Sequence, residues 1–325
     1  MTDQTYLVTG CGGFIASRVC HQLLRDGHRV VGLDNLNDYY DPQLKRHRIE
    51  QLGTDRFIFH KMDIEQGDQL KPLFDQNKFS AVFNLAARAG VRYSMENPHV
   101  YLSTNTVGTL NLLDEMQRTG VTKFVLASTS SLYAGQPMPF VESLPVNTPI
   151  SPYAASKKGA EVMAYSYHHL YDIDVSICRY FTVYGPASRP DMSILRFTRW
   201  IDEGTPIELF GDGEQSRDFT YVDDIARGTI LAGKPLGYEI INLGGGGTPV
   251  SINQLIAMLE ERLGKKAKID YKPFHQADMK STSADITKAK ELLGWTPEVS
   301  LAEGLDASVE WYQQNKPWTA QIPLP

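Results

Sequence analysis

A short apolar run, Tyr6-Leu-Val-Thr9, breaks into glycines at Gly10, Gly12 and Gly13 and resumes as an apolar, helix-compatible stretch from Phe14. Strand, glycine turn and helix in that order build a phosphate cradle. The first glycine allows the tight turn, the next lets backbone approach a pyrophosphate, and the helix N-terminus offers unpaired N–H groups with partial positive charge. The spacing is Gly10-x-x-Gly13-x-x-Ala16. Alanine stands where a third glycine is usual, a size that the close helix–strand contact tolerates. Glycine turns of this kind also occur in sheet proteins that bind nothing. Asp34 changes the weight of the pattern, lying 21 residues after Gly13 at the end of the next apolar run, Arg29-Val-Val-Gly-Leu33. A carboxylate there can accept both ribose hydroxyls of NAD and repels the 2′-phosphate of NADP. A dinucleotide site is predicted, with NAD in it.

Apolar runs and helical stretches alternate through the first half. The first helix is expected over 14–25 with Gly27 as its left-handed stop, followed by the polar loop Asp34-Asn-Leu-Asn-Asp-Tyr-Tyr-Asp41. Further strands are read at 57–59, 81–85, 123–127 and 174–179, with helices at 97–120 and from Ser151-Pro152 to about Tyr171. Asp63, beside Ile64 after the third strand, either holds an adenine ring or caps the next helix. Small residues Ala86 and Ala87 after the fourth strand leave room for a cofactor against the backbone. The alternation predicts an α/β fold with a doubly wound parallel (Rossmann) sheet over residues 1–180. Residues 181–325 read as a smaller, mixed α/β substrate domain, with some segments returning to the first. Its helices are signalled at 194–203, 251–263 and from Ser300, with capping boxes at Ser251/Gln254 and Ser300/Glu303.

A net charge of −6 argues against a nucleic-acid surface, and no apolar run approaches membrane-spanning length. Cys11, Cys20 and Cys178 make neither a metal spacing nor a disulfide framework, and the adjacent His168 and His169 diverge on a helix, so no metal is expected. The first apolar run opens at Tyr6, close behind Met1, so no signal peptide is expected and a cytoplasmic location is expected.

Tyr153 and Lys157 are four apart on one helix and share a face. An ammonium near a phenol, like the charge of an oxidised nicotinamide, lowers the phenol's pKa from roughly 10 and lets it take or return a hydroxyl proton. Such a pair alone is what many half-exposed helices carry; the hydroxyl run Ser128-Thr-Ser-Ser131 at the end of the preceding strand is what singles it out.

Together, the glycine pattern, that hydroxyl run and Tyr153-x-x-x-Lys157 resemble the extended short-chain dehydrogenase/reductase family. Asn105-x-x-Gly108-Thr-x-Asn111, Arg217-Asp-Phe-x-Tyr-Val-Asp-Asp224 and Leu293-Gly-Trp-x-Pro297 resemble its nucleotide-sugar branch. The resemblance implies Tyr153 as base, Lys157 on the nicotinamide ribose, and Thr129 or Ser128 on the reacting sugar hydroxyl, with alignment back from Tyr133 selecting Thr129. It extends the cofactor set of Gly10, Gly13, Asp34 and Asp63 to Phe14, Ile15, Asn35, Ile64, Leu85, Ala86, Ala87, Asn105 and Tyr180. On the substrate it implies Thr129, Ser130, Thr182 and Arg189, with Arg217 on a phosphate and Asp278 on a ribose. A homodimer paired through the 97–120 and 151–171 helices is implied as well.

Dehydratases of the branch carry Asp-Glu, and decarboxylases Glu, just before the Leu/Val-Tyr of the hydroxyl motif; here stand Ser130 and Ser131. Expelling water needs an acid for the leaving hydroxyl and a base at C5, and two serines supply neither. Epimerisation at C4 needs only the tyrosine and the cofactor. The loops 34–41, Ala89-Gly-Val-Arg-Tyr-Ser94 and Arg179–Met192 resemble the branch members that act on uronates, with Thr182 and Arg189 at the sugar carboxylate. Read without the family, Arg189 is a turn residue paired with Asp191. The expectation is C4 epimerisation of UDP-glucuronate to UDP-galacturonate, the alternatives being a neutral or N-acetylated UDP-hexose and decarboxylation of the uronate.

Overall fold

Every strand of the first half ends on the same edge of one sheet, and that edge carries the site. The computed structural model describes residues 3–53, 55–274 and 279–324. Its first half runs β1 (Thr5–Thr9), α1 (Phe14–Arg25), β2 (Arg29–Asp34), α2 (Pro42–Glu50), β3 (Phe57–Lys61), α3 (Gly67–Gln76), β4 (Ala81–Asn84), α4 (Val91–Glu96) and α5 (Pro98–Tyr101). A π-helical turn (Leu102–Val107), α6 (Gly108–Thr119), β5 (Lys123–Thr129), a tight helical turn (Ser130–Tyr133), α7 (Pro152–Tyr171) and β6 (Asp174–Tyr180) follow. The second half holds β7 (Thr182–Tyr184), α8 (Ser193–Glu203), β8 (Ile207–Phe210), β9 (Ser216–Arg217), β10 (Phe219–Tyr221), α9 (Val222–Leu231) and β11 (Tyr238–Leu243). It ends with β12 (Val250–Ser251), α10 (Ile252–Leu263), β13 (Ile269–Lys272), α11 (Thr287–Leu293) and α12 (Leu301–Thr319).

The central sheet has seven parallel strands in the order β11-β6-β5-β4-β1-β2-β3. The chain leaves β1 toward β2 and β3, then returns to its other side with β4, opening a crevice at the strands' carboxyl ends. One face is covered by α1, α9 and α11, with Val19, Leu23, Ile225 and Trp295 in its core; α3, α6 and α7 cover the other through Leu70, Leu112, Ala160 and Ala164. A separate core of Phe197, Ile207, Leu255 and Leu305 holds the second half together. The strand pairs β7–β10, β8–β13 and β9–β12 complete that half beyond the sheet edge.

Four expectations are corrected here. The fourth strand stops at Asn84, one residue early, and the fifth runs on to Thr129, so Ser128 and Thr129 sit on strand backbone. The 97–120 helix is broken by the π turn, whose Ser103 and Thr104 hydroxyls are both held by the Glu65 carboxylate. Helix α2 was not expected, although Asp41 caps it by accepting from the Gln43 N–H at 2.8 Å and Pro42 opens it. The returning segment is β11, paired along β6 from Tyr238 to Leu243. Two motifs of the second half prove to hold each other. Trp295 Nε1 donates to the Asp224 carbonyl at 2.8 Å, and the Asp224 carboxylate accepts the N–H groups of Glu298 and Val299 at 3.0 Å. Among the described residues no helix is long and apolar enough to cross a membrane.

Candidate active site

A cleft of about 870 Å³ runs along the carboxyl ends of the sheet strands and under the second half. At its cofactor end Gly10 takes φ +69°, and a Cβ there would lie 2.8 Å from Ala86 Cα, so β1 and the segment after β4 approach as only glycine allows. Gly13 caps α1 without a side chain, leaving the first N–H groups of the helix directed into the cleft beside Phe14 and Ile15. Asp34 is buried, accepting Gly12 N–H at 3.0 Å on one oxygen and Leu36 N–H at 2.8 Å on the other. Asn35 donates to Asp63 at 2.7 Å, and Asp63 also takes the Glu65 N–H at 2.9 Å. Helix α3 is capped instead at Gln66, so Asp63 is not its cap. Asp63, Ile64, Leu85, Ala86, Ala87 and Tyr180 all line the cleft, the Tyr180 hydroxyl turned inward to Thr229 at 2.8 Å.

Asn105 departs from its expected place. It is buried, and its amide is spent on the Arg88 N–H and carbonyl at 2.8 and 3.0 Å and on Ser156 Oγ at 2.9 Å. It braces the loop after β4 against α7 rather than facing the cleft.

At the centre, the Thr129 hydroxyl faces the Tyr153 phenol closely enough to stabilise its phenolate, and it accepts the Ser131 N–H at 3.1 Å. Burial raises the Tyr153 pKa above its ordinary value, while the Thr129 contact and the Arg189 charge pull it down. The Lys157 ammonium named in the sequence expectation is not among these influences; Thr129 and Arg189 lower the phenol in its place. Lys157 Nζ is instead tied to the Ala127 carbonyl at 2.9 Å, and burial pulls its own pKa down to about 8 against the upward influence of Glu161. Ser128 is also corrected: its hydroxyl is held by the buried Glu161 at 2.6 Å, which leaves Thr129 as the hydroxyl on Tyr153.

Ser130, Thr182, Arg189 and Arg217 line the substrate end, together with Arg92 and Arg196. The Arg92 guanidinium lies over the Phe210 ring at 3.9 Å, and Arg217 Nη1 donates to the Ser216 carbonyl at 2.8 Å. Arg189 is paired with Asp191 through two donors, Nε at 3.0 Å and Nη2. Asp278 lies outside the described residues.

Lys45 and Arg48 were missed in the sequence, and Tyr39 and Gly90 were read only as parts of their loops. Lys45 Nζ donates to the Asn37 carbonyl at 2.8 Å, near Asp34, and burial draws its pKa down to about 8. Arg48 donates to the carbonyl of Gly12 at 2.8 Å and to that of Ala187 at 2.8 and 3.0 Å, joining the glycine turn to the Arg189 loop. The Asp41-Pro42 helix start was the available signal for both.

Residues 7–307 match the family model described as GDP-mannose 4,6 dehydratase. A UDP-glucuronate 4-epimerase of Thermodesulfobacterium geofontis is 60% identical over 95% of this chain and 96% of its own. The structure of Bacillus cereus UDP-glucuronic acid 4-epimerase in complex with UDP-glucuronic acid and NAD superposes with a TM-score of 0.90, at 38% identity over 96% of this chain and 99% of that one. A Thermotoga maritima UDP-glucose 4-epimerase with UDP-glucose superposes at 0.86, with 34% identity over 96% of this chain and 99% of that one. With a glycine cradle, an acidic strand end and a Thr129–Tyr153 contact shared across one cleft, the chain belongs to the GDP-mannose 4,6-dehydratase family of extended short-chain dehydrogenases/reductases.

Proposed function

We propose that this protein is an NAD-dependent isomerase that interconverts UDP-glucuronate and UDP-galacturonate by inverting C4. The observation that carries the reading is the Thr129–Tyr153 contact within the field of Arg189, with hydroxyls alone at positions 130 and 131. Bound NAD supplies a hydride acceptor that later returns the hydride. Tyr153 takes the C4 hydroxyl proton and gives it back, Thr129 orients that hydroxyl, and Lys157 holds the nicotinamide ribose. The α1 N-terminus faces the cofactor's pyrophosphate, and Asp34 its adenosine ribose. Residues 1–180 hold the cofactor and 181–325 mainly the UDP-sugar, with β11 serving the first unit.

Oxidation at C4 of a uronate makes a β-keto acid, which tends to lose CO₂. Arg189 on the carboxylate stabilises the charge that decarboxylation must disperse and fixes the C5–C6 bond away from the ketone π system. Thr182 assists at the carboxylate, Ser130 contacts the sugar, Arg217 takes a phosphate, and Asp278 a ribose hydroxyl. The rival reading, a neutral UDP-hexose, draws on one observation, the neutralisation of Arg189 by Asp191.

The protein works in the cytoplasm as a homodimer. Leu102 and Val107 of the π turn and Val162, Tyr165 and Tyr171 of α7 are exposed on the helices that would pair, which supports a two-fold apolar interface.

UDP-glucuronate deuterated at C4, turned over in ordinary water, tests the chemistry. The account expects the deuterium to stay at C4 of UDP-galacturonate, without NADH accumulating. Loss of the label to solvent contradicts it.

A further inference from the structure

The Arg189 guanidinium presents Nε and Nη2 side by side, and the Asp191 carboxylate already fills that fork, Oδ1 at 3.0 Å from Nε and Oδ2 on Nη2. Such two-point pairing is the geometry by which arginine grips any carboxylate. The pair lies in the cleft, both side chains largely buried at 20% and 18% exposure, so its charge is poorly screened. A second donor for the Asp191 carboxylate is close by. The Tyr39 hydroxyl, on the loop after β2, points at Oδ2 from 3.5 Å. Tyr39 reaches there because Gly90, at φ +104°, has no side chain; a Cβ at that position would collide with the Tyr39 oxygen. The loop carrying the pair is anchored from below by Arg48 through the Ala187 carbonyl, so the two side chains can rearrange on a fixed backbone.

Building on the uronate reading above, we propose that Asp191 is a specificity-determining residue whose carboxylate holds the Arg189 fork until the sugar carboxylate takes its place, Asp191 then passing to the Tyr39 hydroxyl. The exchange is carboxylate for carboxylate, so Arg189 is never left as an uncompensated buried cation near Tyr153. A neutral UDP-hexose brings nothing to exchange and leaves the pair closed. Uronate affinity is therefore set by competition within the loop, not by Arg189 alone.

The test is calorimetric binding of UDP-glucuronate and UDP-glucose to NAD-loaded wild type, Asp191→Asn and Tyr39→Phe. Removing the internal competitor should tighten UDP-glucuronate about tenfold in Asp191→Asn and leave UDP-glucose within about twofold. Tyr39→Phe, which withdraws the one donor left to the displaced carboxylate in this proposal, should weaken UDP-glucuronate by about threefold or more with UDP-glucose unchanged. UDP-glucuronate binding that is unchanged or weaker in Asp191→Asn overturns the proposal and makes Asp191 a residue that merely orients Arg189. Should Asp191→Asn not fold, Tyr39→Phe decides, and unaltered UDP-glucuronate affinity there overturns it equally. Wild type that binds UDP-glucuronate no better than UDP-glucose strikes the uronate reading itself, before any variant is compared.

Discussion

Glu161 and Arg179 face each other as a two-point pair in full burial, Nε to Oε1 at 2.9 Å and Nη2 to Oε2 at 2.8 Å. Oε1 also receives the Ser128 hydroxyl, and Arg179 Nη1 continues to the Tyr133 hydroxyl at 2.9 Å. Tyr133 in turn donates to Asn242 on β11 at 2.8 Å. One buried network thus links α7, which carries Tyr153 and Lys157, to the end of β5, which carries Thr129.

Replacing Glu161 by Gln leaves Arg179 as a poorly compensated buried cation and should cost about 3 kcal/mol in chemical unfolding. It also removes the influence that holds the Lys157 pKa up. That pKa already sits near 8, so in the variant the ammonium is lost at lower pH. The alkaline decline of kcat/KM, expected around pH 8 in the wild type, should move toward neutrality. A stability loss with an unmoved pH profile separates the structural role from the electrostatic one.

Tyr153→Phe should reduce kcat by about three orders of magnitude while UDP-sugar affinity, measured calorimetrically, stays close to wild type. Thr129→Val removes the hydroxyl that lowers the Tyr153 pKa, which burial already holds above the ordinary phenol value. The phenolate then forms only at higher pH, so the acid limb of the kcat profile should shift upward. A downward shift contradicts the assigned donor.

Asp34→Ser deletes a carboxylate that accepts from Gly12 and Leu36 N–H and is proposed to hold the adenosine ribose. NAD affinity should fall by about tenfold or more, and discrimination against NADP should shrink as the repulsion is lost. Competition binding of the two cofactors measures both effects.

Val162→Glu places a charge at the start of the exposed apolar strip on α7. Light scattering after gel filtration should show the proposed dimer in the wild type and a shift toward monomer in the variant, with Tm lowered. An unchanged mass moves the interface elsewhere.

The sheet was legible because its strands are short apolar runs closed by glycine, acid or hydroxyl residues, and because Ser151-Pro152 and both capping boxes announce helix starts. Tyr153, Thr129 and Lys157 were legible as a spacing, but their electrostatics were not. The ammonium's engagement with the Ala127 carbonyl depends on burial that no spacing reveals. The π turn escaped detection because Glu65, whose carboxylate holds it, lies in the loop before α3. Asn105 looked like a cofactor residue by its motif, yet three contacts consume its amide. Arg189 carried two sequence readings, turn partner and carboxylate ligand. The geometry realises the first, and Arg189 also lines the cleft in which the second is proposed.

The most direct test of the central claim is proton NMR of the purified protein with UDP-glucuronate, first without added cofactor and then with NAD. The account predicts UDP-galacturonate as the product, and the same mixture approached from UDP-galacturonate. Formation of UDP-xylose or a 4-keto pentose, or conversion of UDP-glucose in preference to UDP-glucuronate, contradicts it.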